Sequence, residues 1–349
     1  MNSNGEKERR IFRILSIDGG GIRGIIPAAI LLEVERAIRR HKSGAAVKIG
    51  ECFDMIATTS TGGILTCMLL FPDKDRPDRA RFSAADTLRL YMENGDDIFE
   101  RSIWQMIVSS GGLSNEKYSA YTLESILSYY FDDVKISRLI RPCLITACDA
   151  EKYQPFFFSR HDARETPAGE FLAQDSAQTA FPVPTCFDAA LPGNRDRDPN
   201  AGPLINGGVL VNNPAAYALV EALGLRARNP VRFSEIVILS LGTGPRREIA
   251  AYGHCCDWGL AGWVGPLIQI IMEGVSQTVD YQLKMVFDSI GKKNQYLRID
   301  GTFGDCDIED FDPAMDNADP ENMKRLERFG RRLAERHRDA IQAFVEAYF

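Results

Sequence analysis

The chain has 349 residues, of which 45% are hydrophobic and 26% charged, with a formal net charge of −7. Such a composition is typical of a soluble globular protein, and a chain of this length can bury a large core without disulfides or metal ions. The mild acidity argues against DNA or RNA as a partner, because nucleic-acid binders use a basic surface.

Two further classes of protein are disfavoured by the residue pattern. The polar start, Met1 to Arg10, contains no apolar stretch of signal-peptide type, so we expect a cytoplasmic location. The most apolar run, Ile64 to Phe71, is far shorter than the roughly 20 residues of a membrane span. The eight cysteines include no C-x-x-C pair, and we interpret them as reduced thiols rather than metal ligands.

Short apolar runs alternate with helical patterns along the chain. Strands are predicted at 11–17, 53–57, 142–149, 155–159, 203–205, 235–241 and 295–299. Helices are predicted at 26–40, 62–71, 84–93, 121–131, 170–179, 214–226, 264–287 and 321–347. This alternation indicates an α/β fold whose mostly parallel sheet is covered on both faces. We expect one domain over residues 11–335, with a helical C-terminal extension that continues to about residue 349.

A serine lies in the turn between the second strand and the helix that follows it. Small residues around Ser60 permit a nucleophile elbow, which raises the hydroxyl above the edge of the sheet. Amides at the start of that helix would stabilise negative charge beside it. The usual pattern is G-x-S-x-G, in which Gly62 keeps the second glycine but Thr58 replaces the first. From this turn alone, Ser60 is either a nucleophile or a helix cap.

Three consecutive glycines, Gly19, Gly20 and Gly21, follow the first strand. The spacing Gly19-x-Gly21-x-x-Gly24 matches a dinucleotide fingerprint, but no acidic residue ends a second strand about 20 residues further on. A glycine run before a helix also forms a nest of backbone amides that can hold an oxyanion. We favour the oxyanion interpretation, because a candidate nucleophile follows the next strand.

These motifs together resemble the patatin-like phospholipases, a family of serine acyl hydrolases. The family's D-G-G-G-x-R-G stands intact at Asp18 to Gly24, and its G-T-S-T-G-G stands at Thr58 to Gly63 with one substitution. The resemblance continues at Ser240 to Gly244 and Asn317 to Leu326, and spans roughly residues 11–335.

The resemblance implies a three-layer α/β sandwich, a Ser-Asp dyad and cleavage of acyl esters in membrane phospholipids. It assigns Ser60 as nucleophile and the amides of Gly19 to Gly21 as the oxyanion hole, with Arg23 shaping that loop. The family's D-G-G motif maps onto Asn206, Gly207 and Gly208, so an asparagine stands where the base is expected. Neither a cofactor nor a metal is implied.

Asn206 changes the expected activity. A neutral amide cannot take the serine proton, and a general base contributes about 10²–10⁴-fold to the rate. The chain is then an impaired homologue, a variant altered to trap a bound state, a slow enzyme, or a protein whose Asn206-Gly207 pair deamidates. We favour a patatin-type hydrolase with a compromised base.

Two alternatives remain open for the function. One is a non-catalytic homologue that senses a lipid or nucleotide. The other comes from the resemblance, since some bacterial members act in antiviral defence and degrade membrane phospholipid once a cyclic nucleotide binds. The expected partner is phospholipid or another acyl lipid at a membrane surface, with a cyclic nucleotide activator and self-association as open alternatives.

Several further residues could carry chemistry. A Ser-His-Asp triad would need one of the four histidines, and the best candidate is His254; the others are His41, His161 and His337. Trp258 and Trp263 lie in an apolar stretch, for which a core helix or a self-association surface is favoured over a lipid-contacting helix. The basic residues near the C-terminus are interpreted as a solvated helix face of mixed charge.

Overall fold

The computed structural model describes residues 11–99, 116–179, 202–224, 231–244, 259–302, 312 and 314–349. Within these ranges one sheet is formed by strands that match every predicted strand to within about two residues at each end. They are β1 (Phe12–Ile17), β2 (Met55–Thr59), β3 (Cys143–Asp149), β4 (Gln154–Ser159), β5 (Leu204–Asn206), β6 (Ile236–Leu241) and β7 (Tyr296–Ile299).

Helices fill most of the sequence between the strands. They are α1 (Ile25–His41), α2 (Ile49–Cys52), α3 (Gly62–Leu70), α4 (Ala84–Phe99), α5 (Glu116–Phe131), α6 (Arg160–Glu165), α7 (Ala173–Thr179), α8 (Ala215–Gly224), α9 (Gly259–Ser289), α10 (Pro320–Arg336) and α11 (Arg338–Tyr348). The single helix predicted at 321–347 is wrong, because His337 leaves helical geometry at φ −95° and ψ 14° and separates α10 from α11. The short helices α2 and α6 were not predicted, since one or two turns show too little periodicity.

The strand order is β4-β3-β2-β1-β6-β7, which confirms a mostly parallel sheet. At its centre β1 pairs in parallel with both β2 and β6. The neighbours β2–β3 and β6–β7 are also parallel, whereas β4 and β5 run antiparallel to β3. The loops that follow β2, β1 and β6 therefore lie side by side at one edge of the sheet.

One detail of the pairing decides where the site forms. Strand β2 pairs with β3 as far as Thr146, and β5 continues along the same edge of β3 from Ala147. Because β5 runs in the opposite direction, the carboxyl ends of β2 and β5 meet. The residue after Thr59 therefore faces Asn206, the last residue of β5.

Apolar side chains on the two faces of the sheet build two separate cores. In β1, Leu15 and Ile17 join the core formed with α1, α3, α4 and α10, whereas Ile14 joins the core formed with α8 and α9. This alternation follows from the two-residue period of a strand. Each fully buried leucine or isoleucine contributes about 1.5–3 kcal/mol. The two cores confirm the predicted three-layer arrangement.

The described cysteines are buried and free, and no helix in the described ranges is both long and apolar enough to cross a membrane. Burial raises the pKa of the Cys52 thiol to about 11 and that of Cys143 to about 12. Both thiols therefore stay protonated and unreactive near neutral pH. Four further cysteines lie outside the described residues: Cys186, Cys255, Cys256 and Cys306.

Candidate active site

Ser60 occupies a sharp turn between β2 and α3. Its φ of 56° is in the left-handed region, which costs a non-glycine residue about 1–3 kcal/mol and persists only where the surroundings enforce it. A Cβ added to Gly62 would lie 2.8 Å from the Cβ of Thr58, so the turn has no room for a side chain there. This geometry is that of the predicted nucleophile elbow.

Thr58 occupies the position where the elbow pattern has glycine. Its side chain is fully buried, and its hydroxyl shares a hydrogen bond of 2.8 Å with the hydroxyl of Thr66, one turn into α3. The buried hydroxyl is therefore satisfied, and the rest of the side chain packs on Gly62. The substitution is accommodated without opening the elbow.

Asn206 lies directly against Ser60. Its Nδ2 donates a hydrogen bond of 2.7 Å to Ser60 Oγ, and its Oδ1 accepts one of 2.8 Å from the backbone N–H of Gly208. The reverse orientation of the amide would place two donors face to face at Gly208. A Cβ on Gly207 would lie 2.6 Å from the carbonyl carbon of Thr146, so this motif is clamped onto β3.

Two threonines tie the elbow to the segment that carries Asn206. Thr59 Oγ1 donates to the carbonyl of Val211 at 2.6 Å, and Thr146 Oγ1 donates to Thr59 Oγ1 at 2.9 Å. Both side chains are fully buried. The Ser60–Asn206 contact is therefore held by sheet pairing and by this hydroxyl chain.

The glycine loop passes directly beside the elbow. A Cβ added to Gly19 would lie 3.1 Å from the Cβ of Ser60. Gly21 has a φ of 60° and packs against the Met315 carbonyl, which leaves no space for a side chain. The structure thus brings the predicted loop and the predicted nucleophile together.

The three glycine amides are not equivalent. Gly19 N–H donates to the backbone carbonyl of Asn212 at 3.2 Å. The N–H groups of Gly20 and Gly21 donate to no carbonyl or side chain within the described ranges. Of the predicted oxyanion donors, Gly20 and Gly21 are therefore the two that a ligand can engage.

Arg23 is buried beneath this loop. Its Nε donates to the Gly20 carbonyl at 3.4 Å and its Nη1 donates to the Gly244 carbonyl at 2.7 Å. The arginine therefore links the glycine loop to the loop after β6. Its predicted role in shaping the glycine loop stays a prediction, and these contacts support it.

A buried ion pair, which the sequence analysis missed, lies at the start of the glycine loop. Arg298 of β7 binds both carboxylate oxygens of Asp18 at 2.8 and 2.6 Å, and Ser276 of α9 also donates to Asp18. Burial lowers the pKa of Arg298, but the carboxylates of Asp18 and Asp300 outweigh it and hold that pKa well above its usual value. An aspartate that follows a buried strand needs a basic partner if it is itself buried. The sequence does not show which of the 41 basic residues is that partner.

The three described histidines lie at different places in the fold. His41 ends α1, which begins at the glycine loop and runs about 25 Å away from it at 1.5 Å per residue. His161 lies in α6, His337 separates α10 from α11, and His254 lies outside the described residues. The triad alternative gains no support from these positions.

Helix α9 is apolar on two opposite faces. Leu283 and Phe287 are buried in a core against the sheet, and Met272 is buried beside Gly208. On the opposite side, apolar residues at helical spacing are exposed: Trp263, Leu267, Ile270, Tyr281 and Met285. The favoured prediction of a core helix thus describes one face only, and Trp258 lies outside the described residues.

Three basic side chains of the C-terminal helices, Lys324, Arg331 and Arg338, pair with acids one turn away. Lys324 contacts Glu321 at 2.7 Å, one turn away in α10. Arg331 makes the equivalent contact with Glu327 at 2.8 Å. Such exposed pairs fit the predicted helix face of mixed charge.

Sequence comparisons identify the relatives of this chain. The family model described as "Patatin-like phospholipase" matches residues 15–219. Patatin-like protein 1 of Oryza sativa subsp. indica is 31% identical, over 92% of this chain and 80% of the relative. Patatin-like protein 2 of Arabidopsis thaliana is 32% identical, over 92% and 82% respectively.

Two further matches share less identity with this chain. "Probable inactive patatin-3-Kuras 1" of Solanum tuberosum is 28% identical, over 82% of this chain and 77% of the relative. Among solved structures, VipD from Legionella pneumophila matches with a TM-score of 0.40 and 10% identity, over 97% of this chain and 67% of VipD. On the family match and the two plant relatives that exceed 30% identity, the chain belongs to the patatin-like phospholipase family.

Proposed function

We propose that this chain is a patatin-type serine acyl hydrolase of phospholipase A type, impaired because Asn206 replaces the base of its dyad. Its substrates would be the acyl esters of membrane phospholipids. The observation that carries the proposal is the contact of 2.7 Å from Asn206 Nδ2 to Ser60 Oγ. We place this activity in one domain over residues 11–335, with the helices that continue to about residue 349.

The described groups suit acyl transfer from an ester to serine. Ser60 Oγ would attack the ester carbonyl, and the N–H groups of Gly20 and Gly21 would stabilise the oxyanion. The first amides of α3 add positive potential beside Ser60. Collapse of the tetrahedral intermediate would release the alcohol and leave an acyl-enzyme, which water would then hydrolyse.

The proton transfers are the steps that Asn206 weakens. The amide donates a hydrogen bond to Ser60 Oγ, so it occupies one of the two lone pairs of that oxygen and takes no proton from it. Its carbonyl oxygen, a very weak base, is held by Gly208 N–H and faces away from the serine. We therefore expect a rate about 10²–10⁴-fold below that of a carboxylate enzyme with the same geometry.

The same observation favours a second candidate, a homologue that binds acyl lipid without turning it over. The elbow and the glycine loop are complete, so a lipid carbonyl could still be bound. One relative is itself named as probably inactive. Nothing in the described part of the chain favours a cyclic nucleotide activator, which we retain only as an arm of the test.

We place the protein in the cytoplasm and at the membrane surface as a peripheral protein. The exposed apolar face of α9 supports this placement. A buried serine of α9, Ser276, donates to Asp18 at the start of the glycine loop. Helix α9 therefore runs beside the glycine loop, and lipid that contacts its outer face would lie about one helix diameter from that loop.

The test is fatty-acid release from phospholipid vesicles by the parent chain, Asn206→Asp and Ser60→Ala, each with and without cyclic nucleotides. We expect slow release by the parent, fast release by Asn206→Asp and none by Ser60→Ala. Vesicle binding without release in all three forms would favour the binding homologue. Release that Ser60→Ala does not abolish would exclude Ser60 as the nucleophile.

A further inference from the structure

Side chains hold every carbonyl oxygen of the glycine loop. Thr243 Oγ1 donates to the Gly19 carbonyl at 2.9 Å, Arg23 Nε donates to that of Gly20 at 3.4 Å, and Thr61 Oγ1 donates to that of Gly21 at 3.1 Å. In a planar trans peptide, the C=O of one residue and the N–H of the next point in opposite directions. The donor to each carbonyl therefore also sets the direction of the following amide.

The peptide between Gly19 and Gly20 is the informative one. Strand β1 lies between β2 and β6, so Ser60 after β2 and Thr243 after β6 flank the glycine loop on opposite sides. Because Thr243 draws the Gly19 carbonyl towards β6, the Gly20 N–H points towards the side of Ser60. Sheet order and peptide planarity thus aim one oxyanion donor at the nucleophile.

Thr243 is tightly fitted for this contact. It is buried, and a Cβ added to Gly20 would lie 2.6 Å from the Cβ of Thr243. The backbone beside it is fixed as well, since Asp18 N–H donates to the Leu241 carbonyl at 3.0 Å. Neither the threonine nor the loop can shift independently of the sheet.

A second anchor holds the start of the loop from the same side. Arg298 of β7, the strand beyond β6, binds Asp18 through two nitrogens and also contacts Ser240 Oγ at 2.8 Å and Asp300 Oδ2 at 2.7 Å. Asp300 in turn accepts the N–H of Gly244 at 3.1 Å. One buried guanidinium thereby ties the start of the glycine loop to the loop that carries Thr243.

We propose that Thr243 is a positioning residue that aims the Gly20 amide at the developing oxyanion, with Arg298 fixing the loop on which it acts. Both residues lie beyond residues 15–219, which the family model matches, although Thr243 belongs to the segment Ser240 to Gly244 in which the resemblance continues. This inference rests on the proposed function, because an oxyanion forms only if Ser60 attacks a carbonyl. The role is one of orientation, since Thr243 donates to the loop and not to substrate.

The kinetic test uses Asn206→Asp as the parent, so that turnover is fast enough to measure. Thr243→Val removes the hydroxyl at nearly constant shape, and Thr243→Ser restores a donor. The matched control is Thr87→Val in α4, because Thr87 is also buried and donates to the carbonyl of Ser83 at 3.0 Å. Each rate is divided by the concentration of protein whose Ser60 reacts with a fluorophosphonate label.

Loss of one oxyanion donor costs about 10²–10³-fold in kcat, so a misaimed donor should cost roughly 10- to 100-fold. We expect Thr243→Val to lower kcat by this factor with KM within about twofold, because the contact acts in the transition state. Thr243→Ser and Thr87→Val should retain the parent kcat. An unchanged kcat per labelled site in Thr243→Val, or a rise in KM alone, would overturn the inference.

A second readout does not depend on turnover. In the original chain labelled with ¹⁵N-glycine, Thr243→Val should shift the Gly20 amide signal and alter its hydrogen exchange, whereas Thr87→Val should leave both unchanged. If Asn206→Asp is inactive but the Gly20 signal responds, the proposed function fails while the aiming contact stands. A Gly20 signal indifferent to Thr243→Val overturns the contact itself.

Discussion

Replacing Asn206 by aspartate changes one NH₂ group to an oxygen at nearly constant shape. One carboxylate oxygen would take over the contact of 2.8 Å with Gly208 N–H. The other would stand 2.7 Å from Ser60 Oγ and accept its proton. A contact in which the side chain donates thus becomes one in which it accepts, while the distances that position it stay the same.

The gain follows from general-base catalysis. Restoring the base should raise kcat/KM by about 10²–10⁴-fold, which lowers the activation free energy by about 2.7–5.5 kcal/mol. The gain should fall as the pH is lowered, because protonation of the introduced carboxylate removes its basicity. The Asn206 parent lacks this group and should show no such acidic limb.

The assay is initial-rate release of fatty acid from phosphatidylcholine vesicles, measured from acidic to mildly alkaline pH. Asn294→Asp is the matched control for the added charge, because Asn294 is an exposed asparagine. That control should behave like the parent, and Ser60→Ala in the Asn206→Asp background should be inactive. An Asn206→Asp protein that folds normally but gains less than about tenfold would refute the general-base reasoning.

Three other predictions follow from the described contacts. Intact mass spectra should show no deamidation of folded Asn206, because Oδ1 is held and Gly207 is clamped; rapid deamidation of the folded chain would contradict this. Thr66→Val should lower the free energy of unfolding by about 1–3 kcal/mol in urea titrations, because it leaves the buried Thr58 hydroxyl unpaired; an unchanged value would count against that hydrogen bond. Leu267→Asp should reduce the fraction of protein that sediments with phospholipid vesicles, whereas Tyr129→Asp, at another exposed apolar residue, should not. An equal reduction by both substitutions would argue against α9 as the lipid contact.

The strands were predictable because buried parallel strands are continuous apolar runs. The elbow and the glycine loop were predictable for a related reason, since each lies directly after such a run. The family resemblance predicted that the elbow and the glycine loop lie next to each other. The strand order β2-β1-β6 gives the physical reason. Local sequence specifies these elements but not which strands become neighbours.

Thr243 and Arg298 show what the sequence leaves hidden. They lie 224 and 280 residues from the loop residues that they bind, Gly19 and Asp18. No periodicity or motif spacing encodes a contact at that separation. Thr58 is a different case, because its replacement of glycine looks disruptive until the Thr66 hydroxyl is seen beside it.

Strands β2 and β5 lie end to end along β3, so the geometry of the site depends directly on the register of both strands. Thr146 and Ala147 are consecutive, and they fix the positions of Thr59 and Asn206. A slip of either strand by two residues, the smallest that keeps its faces, would move that strand by about 6.6 Å and separate the pair. The Ser60–Asn206 contact therefore forms only when the sheet is fully in register, so a partly folded chain should not display it at all.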